Sequence, residues 1–382
     1  MGDNDLALRI RVRLTELEAI SQNRGLRVSR GIDLSSNDYL GLSVDRRLKA
    51  SVADAVAKCE RISSTGSRLL SGHAAAWDQL EEEFAAFAGT EAALFFSSGY
   101  AANVGLLSSL LGPDDLVFSD ALNHASIIDG ILLSHAKKIV YPHRDLNFLE
   151  DGLRRNTGHC GARLIVTESI FSMDGDRAPL AGIFELASRY GAEVIVDEAH
   201  ATAVCGPRGR GLVAELDLNP FAVVHACGKA LASMGGVVCG SDTLRRFLIN
   251  HARSFIFSTA LPPYLAHQAL AALRLANSME DERNHLAAIS TALREGLRGI
   301  GQDCGSSSSH IVPIVVGSNE SALALAAFLE ESGFVARPIR PPTVPEGTSR
   351  LRLSLTSRLT NNDIERLIAA VSAGSQMVFQ HG

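Results

Sequence analysis

Seven short β-rich runs alternate with helical stretches between Leu94 and Cys239, and this alternation constrains the fold more than any other feature. The runs are Leu94–Ser97, Leu116–Ser119, Lys138–Tyr141, Leu164–Glu168, Glu193–Asp197, Ala222–Cys227 and Gly236–Cys239. Several are continuously apolar, the pattern of strands covered on both faces. Helical patterns at Trp77–Ala88, Tyr100–Leu111 and Leu180–Tyr190 precede or separate them. Such alternation specifies an α/β unit, a mostly parallel seven-stranded sheet between helices. Ligands of these sheets sit beyond the carboxyl ends of the strands.

The flanks read differently. A long helix is expected from Pro262 to about Gly299, with Pro at its start. A strand near Ile311–Val316, a helix near Glu320–Ser332, strands near Phe334–Arg337 and Leu351–Leu355, and a helix near Asn361–Val371 then form a smaller α+β domain. Ser306–Ser309 reads as a loop. Near the start, Leu6, Ile10, Leu14 and Leu17 mark an amphipathic helix whose apolar side must pack somewhere. The expected division is an N-terminal helix and arm over 1–45, a large α/β domain over 46–262 and a small C-terminal domain over 263–382.

Several partners are excluded by charge and composition. A net charge of -6 leaves no basic field to hold a phosphate backbone, so no nucleic acid is expected. Cys59, Cys160, Cys205, Cys227, Cys239 and Cys304 are scattered without a C-x-x-C pair. That fits neither a zinc site nor a disulfide framework, and points to a reduced, cytoplasmic setting with no metal. The segment Ala92–Gly112 carries no charge and is long enough to span a bilayer. Ser97, Ser98, Gly99 and Asn103 interrupt it, so a strand, a turn and a helix are expected, and no membrane partner. The opening MGDNDLALRIRVRL has no apolar centre and reads as no signal peptide. Leu6 stands where acylation of Gly2 would require Ser or Thr.

The common ligand motifs fail. Gly228-Lys229 lacks the upstream Gly and downstream Ser or Thr of a phosphate-binding P-loop, and Gly206, Gly209 and Gly211 have the wrong spacing for a dinucleotide turn. What remains is a set of single residues at strand ends. Asp197 closes the run EVIVD and is followed by Glu198-Ala199-His200. A carboxylate there is expensive to bury without a cationic partner. The run AVVHAC leads into Gly228-Lys229, and a lysine so close to a buried strand end either snorkels to the rim or acts as a desolvated Schiff-base amine. Ser97-Ser98-Gly99-Tyr100 opens a helix whose N-terminus suits a phosphate. His124 follows LVFSD, and Glu168-Ser169 through Asp176 follows the fourth run. Each signal alone is weak. Together they place an anion cradle, two histidines, an acid and a lysine at one end of one sheet, which is what pyridoxal 5'-phosphate (PLP) requires.

Longer motifs carry a family resemblance. SSNDYLGL (35–42), TGSR (65–68), FSMDGDRAPL (171–180), DEAHATAVCGPRGRG (197–211), Gly228-Lys229-Ala230 and FSTALPP (257–263) resemble the α-oxoamine synthases, PLP enzymes of the aspartate aminotransferase fold, fold type I. The resemblance implies that Lys229 forms the Schiff base, Asp197 pairs with the pyridine nitrogen, His200 bonds the ring hydroxyl and His124 stacks on the ring. It implies cofactor contacts from Gly99, Tyr100 and Ser172, and from Ser258 and Thr259 toward a neighbouring subunit, hence a homodimer with shared sites. Asn37, Thr343 and Arg352 match substrate positions, Arg352 for an amino-acid carboxylate. Arg24 aligns with an acyl-substrate arginine, with Arg27 competing. IRPPTVP (339–345) and RLRLSLT (350–356) resemble the members that condense L-alanine with pimeloyl-CoA or a pimeloyl carrier protein. Members using glycine with acetyl-CoA share every cofactor residue, and a non-catalytic binding protein of the same fold is the alternative from another class.

The chain departs from the family pattern twice. Ala226 stands three residues before the lysine, where the family carries a phosphate-bonding Thr, and His225 beside it is the candidate replacement. Trp77 stands where the family carries His.

Overall fold

The computed structural model describes residues 5–28 and 30–380, the last three of these without side chains. Gly2 lies outside the described residues. Two compact units form, one of Asn37–Ser172 with Arg177–Leu286, the other of Met1–Ser36 with Met173–Asp176 and Ala287–Gly382.

The first unit is built on a seven-stranded sheet in the order Ala92–Phe96, Gly236–Gly240, Ala222–Ala226, Glu193–Asp197, Arg163–Glu168, Leu116–Asp120, Lys137–Tyr141. Every neighbour is parallel except Gly236–Gly240, which runs antiparallel to both of its partners. All seven expected strands are present, so the fold is the mixed, mostly parallel sheet of the fold type I class. The apolar runs are buried because helices cover them. Leu106 and Leu107 of the helix Gly99–Leu110 and Ile127 and Ile131 of Ala125–Ser134 pack over Val117, Val166, Ile195 and Val224. The uncharged segment at 92–112 divides into a strand and a helix, as its interrupting polar residues require. Among the described residues no helix is long and apolar enough to cross a membrane.

One buried ion pair stands under the first strand. Glu81 is 3% exposed, is bound by the Arg68 guanidinium, accepts from Arg245 at 3.2 Å and takes the Phe95 backbone N–H at 2.9 Å. Trp77, buried and 4.7 Å from the Phe95 ring, fills the space beside them. Removing one member of such a cluster leaves the other charge uncompensated. Glu81→Ala is therefore expected to lower stability by about 3–5 kcal/mol in urea denaturation; a loss below about 1 kcal/mol would show the cluster to be energetically idle.

The second unit holds a three-stranded antiparallel sheet, Arg337–Ile339, Ser349–Ser354 and Ile311–Gly317, with the helices Asn319–Glu331 and Asn361–Gln380. Three expectations are corrected here. The long helix from 262 breaks into Pro263–Ala276 and Glu280–Gly299. The Leu275 and Ala276 carbonyls close a tight turn onto Ser278 and Met279, and Glu280, Asp281 and Glu282 then favour a new helix N-terminus. The strand expected over 334–337 divides in two. Phe334–Val335 pairs in parallel with Ile32–Asp33, and Arg337–Ile339 joins the three-stranded sheet. The N-terminal helix forms at Leu6–Ala19, with Asp5 capping its first N–H groups, but none of its residues is buried. Among the described residues its apolar side finds no cover, with Leu6 60% exposed.

Candidate active site

The carboxyl ends of the first unit's strands enclose a cavity of about 340 Å³. Lys229, Asp197, His124, Gly99, Tyr100 and Asn37 all line it, so six residues singled out from the sequence meet in one space. His200 reaches it through Lys229, whose Nζ lies 2.7 Å from His200 Nε2. His200 Nδ1 lies 2.6 Å from the Tyr39 hydroxyl, and that hydroxyl donates to Asn37 Oδ1 at 2.9 Å. Lysine, histidine, tyrosine and asparagine thus form one chain of polar contacts.

Asp197 is 5% exposed, and each of its oxygens accepts a hydrogen bond from a neutral donor. Asn103 Nδ2 donates to Oδ2 at 2.6 Å and the Ala199 N–H to Oδ1 at 2.8 Å. The same amide donates to Ser126 Oγ at 3.0 Å, and Ser126 Oγ lies 2.8 Å from His124 Nδ1. His124 caps the helix Ala125–Ser134, where Nδ1 also accepts the Ser126 N–H at 3.2 Å. An Nδ1 used as acceptor places the ring proton on Nε2. Burial and then the Lys229 charge hold His124 below the usual histidine range, although Asp197 pulls the other way. His124 is therefore a neutral ring at the cavity wall. Asn123 fixes its loop, donating to the Val166 carbonyl at 2.8 Å and accepting the Glu168 N–H at 3.2 Å.

The opposite end of the cavity suits an anion. Ser98 caps the helix Gly99–Leu110 and takes the Ala101 N–H at 3.0 Å. The first N–H groups of a helix have no internal partner, which leaves those of Gly99 and Tyr100 to a ligand. Ser233, also in the lining, has a buried hydroxyl without a hydrogen-bond partner. Gly235 keeps this wall thin: its φ is +101°, and an added Cβ would run into the Phe95 ring. Carboxylate, lysine, neutral histidine and helix terminus fit a phosphorylated pyridine aldehyde.

His225 does not serve this cavity. Side chains alternate along the strand Ala222–Ala226, so Val224 and Ala226 face the cavity and His225 faces away. His225 is buried between Phe84 and Phe87, its Nδ1 lies 2.9 Å from Thr202 Oγ1, and burial pushes it down to about 3. The expected replacement for the missing hydroxyl is thus withdrawn. Ala226→Thr restores a hydroxyl on the correct face. A hydrogen bond to a charged group contributes about 1.5–3 kcal/mol, so PLP should bind the variant apoprotein roughly tenfold to a hundredfold more tightly. Equal affinities in a fluorescence titration would mean that the anion sits elsewhere.

The remaining residues divide between the units. Ser258 and Thr259 line a separate small cleft with Arg68, Trp77 and Ser97. Ser172 is half-buried and is not part of the main lining. In the second unit Arg24 Nη2 donates to Thr343 Oγ1 at 3.4 Å, while Arg27 faces Glu330 at 3.7 Å. Arg340 holds the backbone carbonyls of Ser21 and Asn23, which presents the Arg24 segment. Arg352 is buried on the strand Ser349–Ser354 and donates to Ser354 Oγ at 2.7 Å. Sequence reasoning gave no role to Asn103, Ser126, Tyr39 or Ser233. Asn103 was visible as the polar interruption of an apolar helix.

The chain matches the family of class I and II aminotransferases over residues 29–371. Sheet, lysine and carboxylate together define a PLP-dependent transferase of fold type I. The 8-amino-7-oxononanoate synthase of Anaeromyxobacter dehalogenans is 45% identical over 344 residues, 90% of this chain and 86% of that protein. That of Geobacter sulfurreducens is 46% identical over 89% of this chain and 87% of that protein. Among solved structures, a serine palmitoyltransferase from S. paucimobilis with bound PLP-myriocin aldimine superposes with a TM-score of 0.90 at 28% identity, covering 98% and 100% of the two chains. The 8-amino-7-oxononanoate synthase of Francisella tularensis gives 0.79 at 32%, covering 91% and 99%. This chain belongs to the α-oxoamine synthases, PLP-dependent enzymes that join an amino acid to an acyl thioester.

Proposed function

We propose that this enzyme is an 8-amino-7-oxononanoate synthase, condensing L-alanine with a pimeloyl thioester with release of thiol and CO2, for biotin synthesis. The observation that carries this reading is the identity of 45–46% to synthases of that name against 28–30% to the serine palmitoyltransferases. Fold similarity ranks them in the other order, so backbone shape does not separate the activities.

In this reading Lys229, Asp197, His124 and His200 hold the cofactor, with Gly99, Tyr100 and Ser172, while Ser258 and Thr259 serve the partner subunit's site. When bound, the cofactor supplies an electron sink for the carbanion formed at the substrate α-carbon. Lys229 Nζ removes the α-proton and returns a proton after CO2 is lost. His200, 2.7 Å from Nζ, orients that amine, and Tyr39 orients His200 in turn. Asp197 opposes the positive charge of the ring nitrogen. The neutral His124 offers a ring face without adding a charge. Asn37 and Arg352 bind the amino acid, and Arg24 with Thr343 the acyl substrate. The hydrogen bond between the last two favours Arg24 over Arg27. A homodimer is part of the proposal: the uncovered apolar side of Leu6–Ala19, and Phe257, 72% exposed beside Ser258, support it.

The test is thiol release by PLP-loaded protein. Release from pimeloyl-CoA that depends on L-alanine is expected. Release only with glycine and acetyl-CoA would move the activity to glycine C-acetyltransferase.

A further inference from the structure

Glu168 ends the strand Arg163–Glu168, lines the cavity and is 3% exposed. In the parallel sheet it stands in register beside Asp197, and register partners of adjacent strands project to the same face. Their surroundings differ sharply. Both Asp197 oxygens accept hydrogen bonds, whereas Glu168 Oε1 is buried with no partner. Glu198, the third buried acid of this region, takes the Leu212 and Val213 N–H groups on Oε1 at 2.9 and 3.1 Å and leaves Oε2 buried without a partner, but it does not line the cavity. Glu168 is thus a buried carboxyl in the wall of a ligand cavity, with the His124 backbone N–H as a donor and Oε1 left without one.

Charge decides what such a group can be. Two adjacent buried carboxylates facing a single lysine cannot both ionise at low cost. We propose that Glu168 is a positioning residue that stores a proton beside Asp197, leaving Asp197 as the carboxylate that meets the cofactor's ring nitrogen. Burial and then Asp197 raise Glu168 to about 8, and Asp120 on the next strand adds to this. Lys229 and the His124 backbone N–H oppose the shift without cancelling it. His124, facing from the helix Ala125–Ser134, is neutral and leaves the count unchanged. Near neutral pH the carboxyl is then a hydrogen-bond donor in the cavity wall, and above about 8 it becomes a second anion there.

The test uses wild-type and Glu168→Gln apoprotein, with PLP affinity measured across the pH range. Gln copies the neutral carboxyl in size and charge. At about pH 6 the two should agree within about threefold. Taking the ratio of affinities cancels every titration they share, and it should step by about threefold or more around pH 8, where only wild type gains a charge. A flat ratio, or a difference above about tenfold already at pH 6, overturns the proposal. Should Glu168→Gln not fold, the infrared spectrum of wild-type apoprotein carries the test. A protonated-carboxyl band at pH 7 that survives Glu198→Gln supports it, because the other raised acid of this region is then removed. Its absence at pH 7 overturns it. The proposal rests on PLP as the ligand, and failure of that premise would show separately, as no binding by wild type.

Discussion

Lys229→Ala should abolish turnover and the visible absorbance of PLP-loaded protein together, while the variant still folds. In the proposed mechanism the lysine holds the cofactor covalently and moves the substrate's α-proton. General base catalysis alone contributes roughly a hundredfold to ten-thousandfold, so losing both roles should cost at least about 10⁴-fold in kcat. No nearby group substitutes. His200, the base in contact with Nζ at 2.7 Å, is itself tied to Tyr39 at 2.6 Å, and His124 Nδ1 is occupied by Ser126. Folding should survive because Lys229 belongs to the cavity wall rather than to the apolar core. Turnover within about tenfold of wild type would remove Lys229 from the chemistry.

Asp197→Asn has the second-largest expected effect. The substitution keeps size and shape but removes the charge that the proposed mechanism sets opposite the ring nitrogen. Breaking a buried charge pair in this way costs about 3–5 kcal/mol, or roughly a hundredfold to several thousandfold in kcat. Asn103 Nδ2, which donates to Oδ2 at 2.6 Å, can meet the new amide oxygen, so cofactor binding should fall much less than turnover. Equal losses in the two would mean that Asp197 only anchors the ligand. An effect below about tenfold on both would contradict the assigned role.

What the sequence made legible follows its periodicities. The seven strands of the large sheet announce themselves because most are short apolar runs, and Asp197 closes one of them while Lys229 stands just past the end of another. Strand ends of one sheet converge, so the central site could be assembled without coordinates. Features that depend on side-chain direction were hidden. Whether His225 or Ala226 faces the cavity is set by the pleat, and one residue's difference reverses the conclusion. The break at 277–279 was obscured because apolar residues continue at helical spacing on both sides, although the acidic run Glu280-Asp281-Glu282 marks a new start. The cover of the N-terminal helix is illegible for another reason: an amphipathic pattern states that a face is apolar, not which molecule covers it. Glu168 was visible as a carboxylate at a strand end, but its contrast with Asp197 lies entirely in hydrogen bonds across the sheet.

One bond, between the cofactor aldehyde and one amine, would define the active site. Borohydride reduction of PLP-loaded protein, followed by digestion and mass spectrometry, locates it directly. The expected result is a reduced pyridoxyl phosphate adduct on the Lys229 peptide, absent from Lys49, Lys58, Lys137 and Lys138. An adduct on any of those four instead, or none on a protein that turns over its substrates, would contradict the assignment of this cavity as the active site.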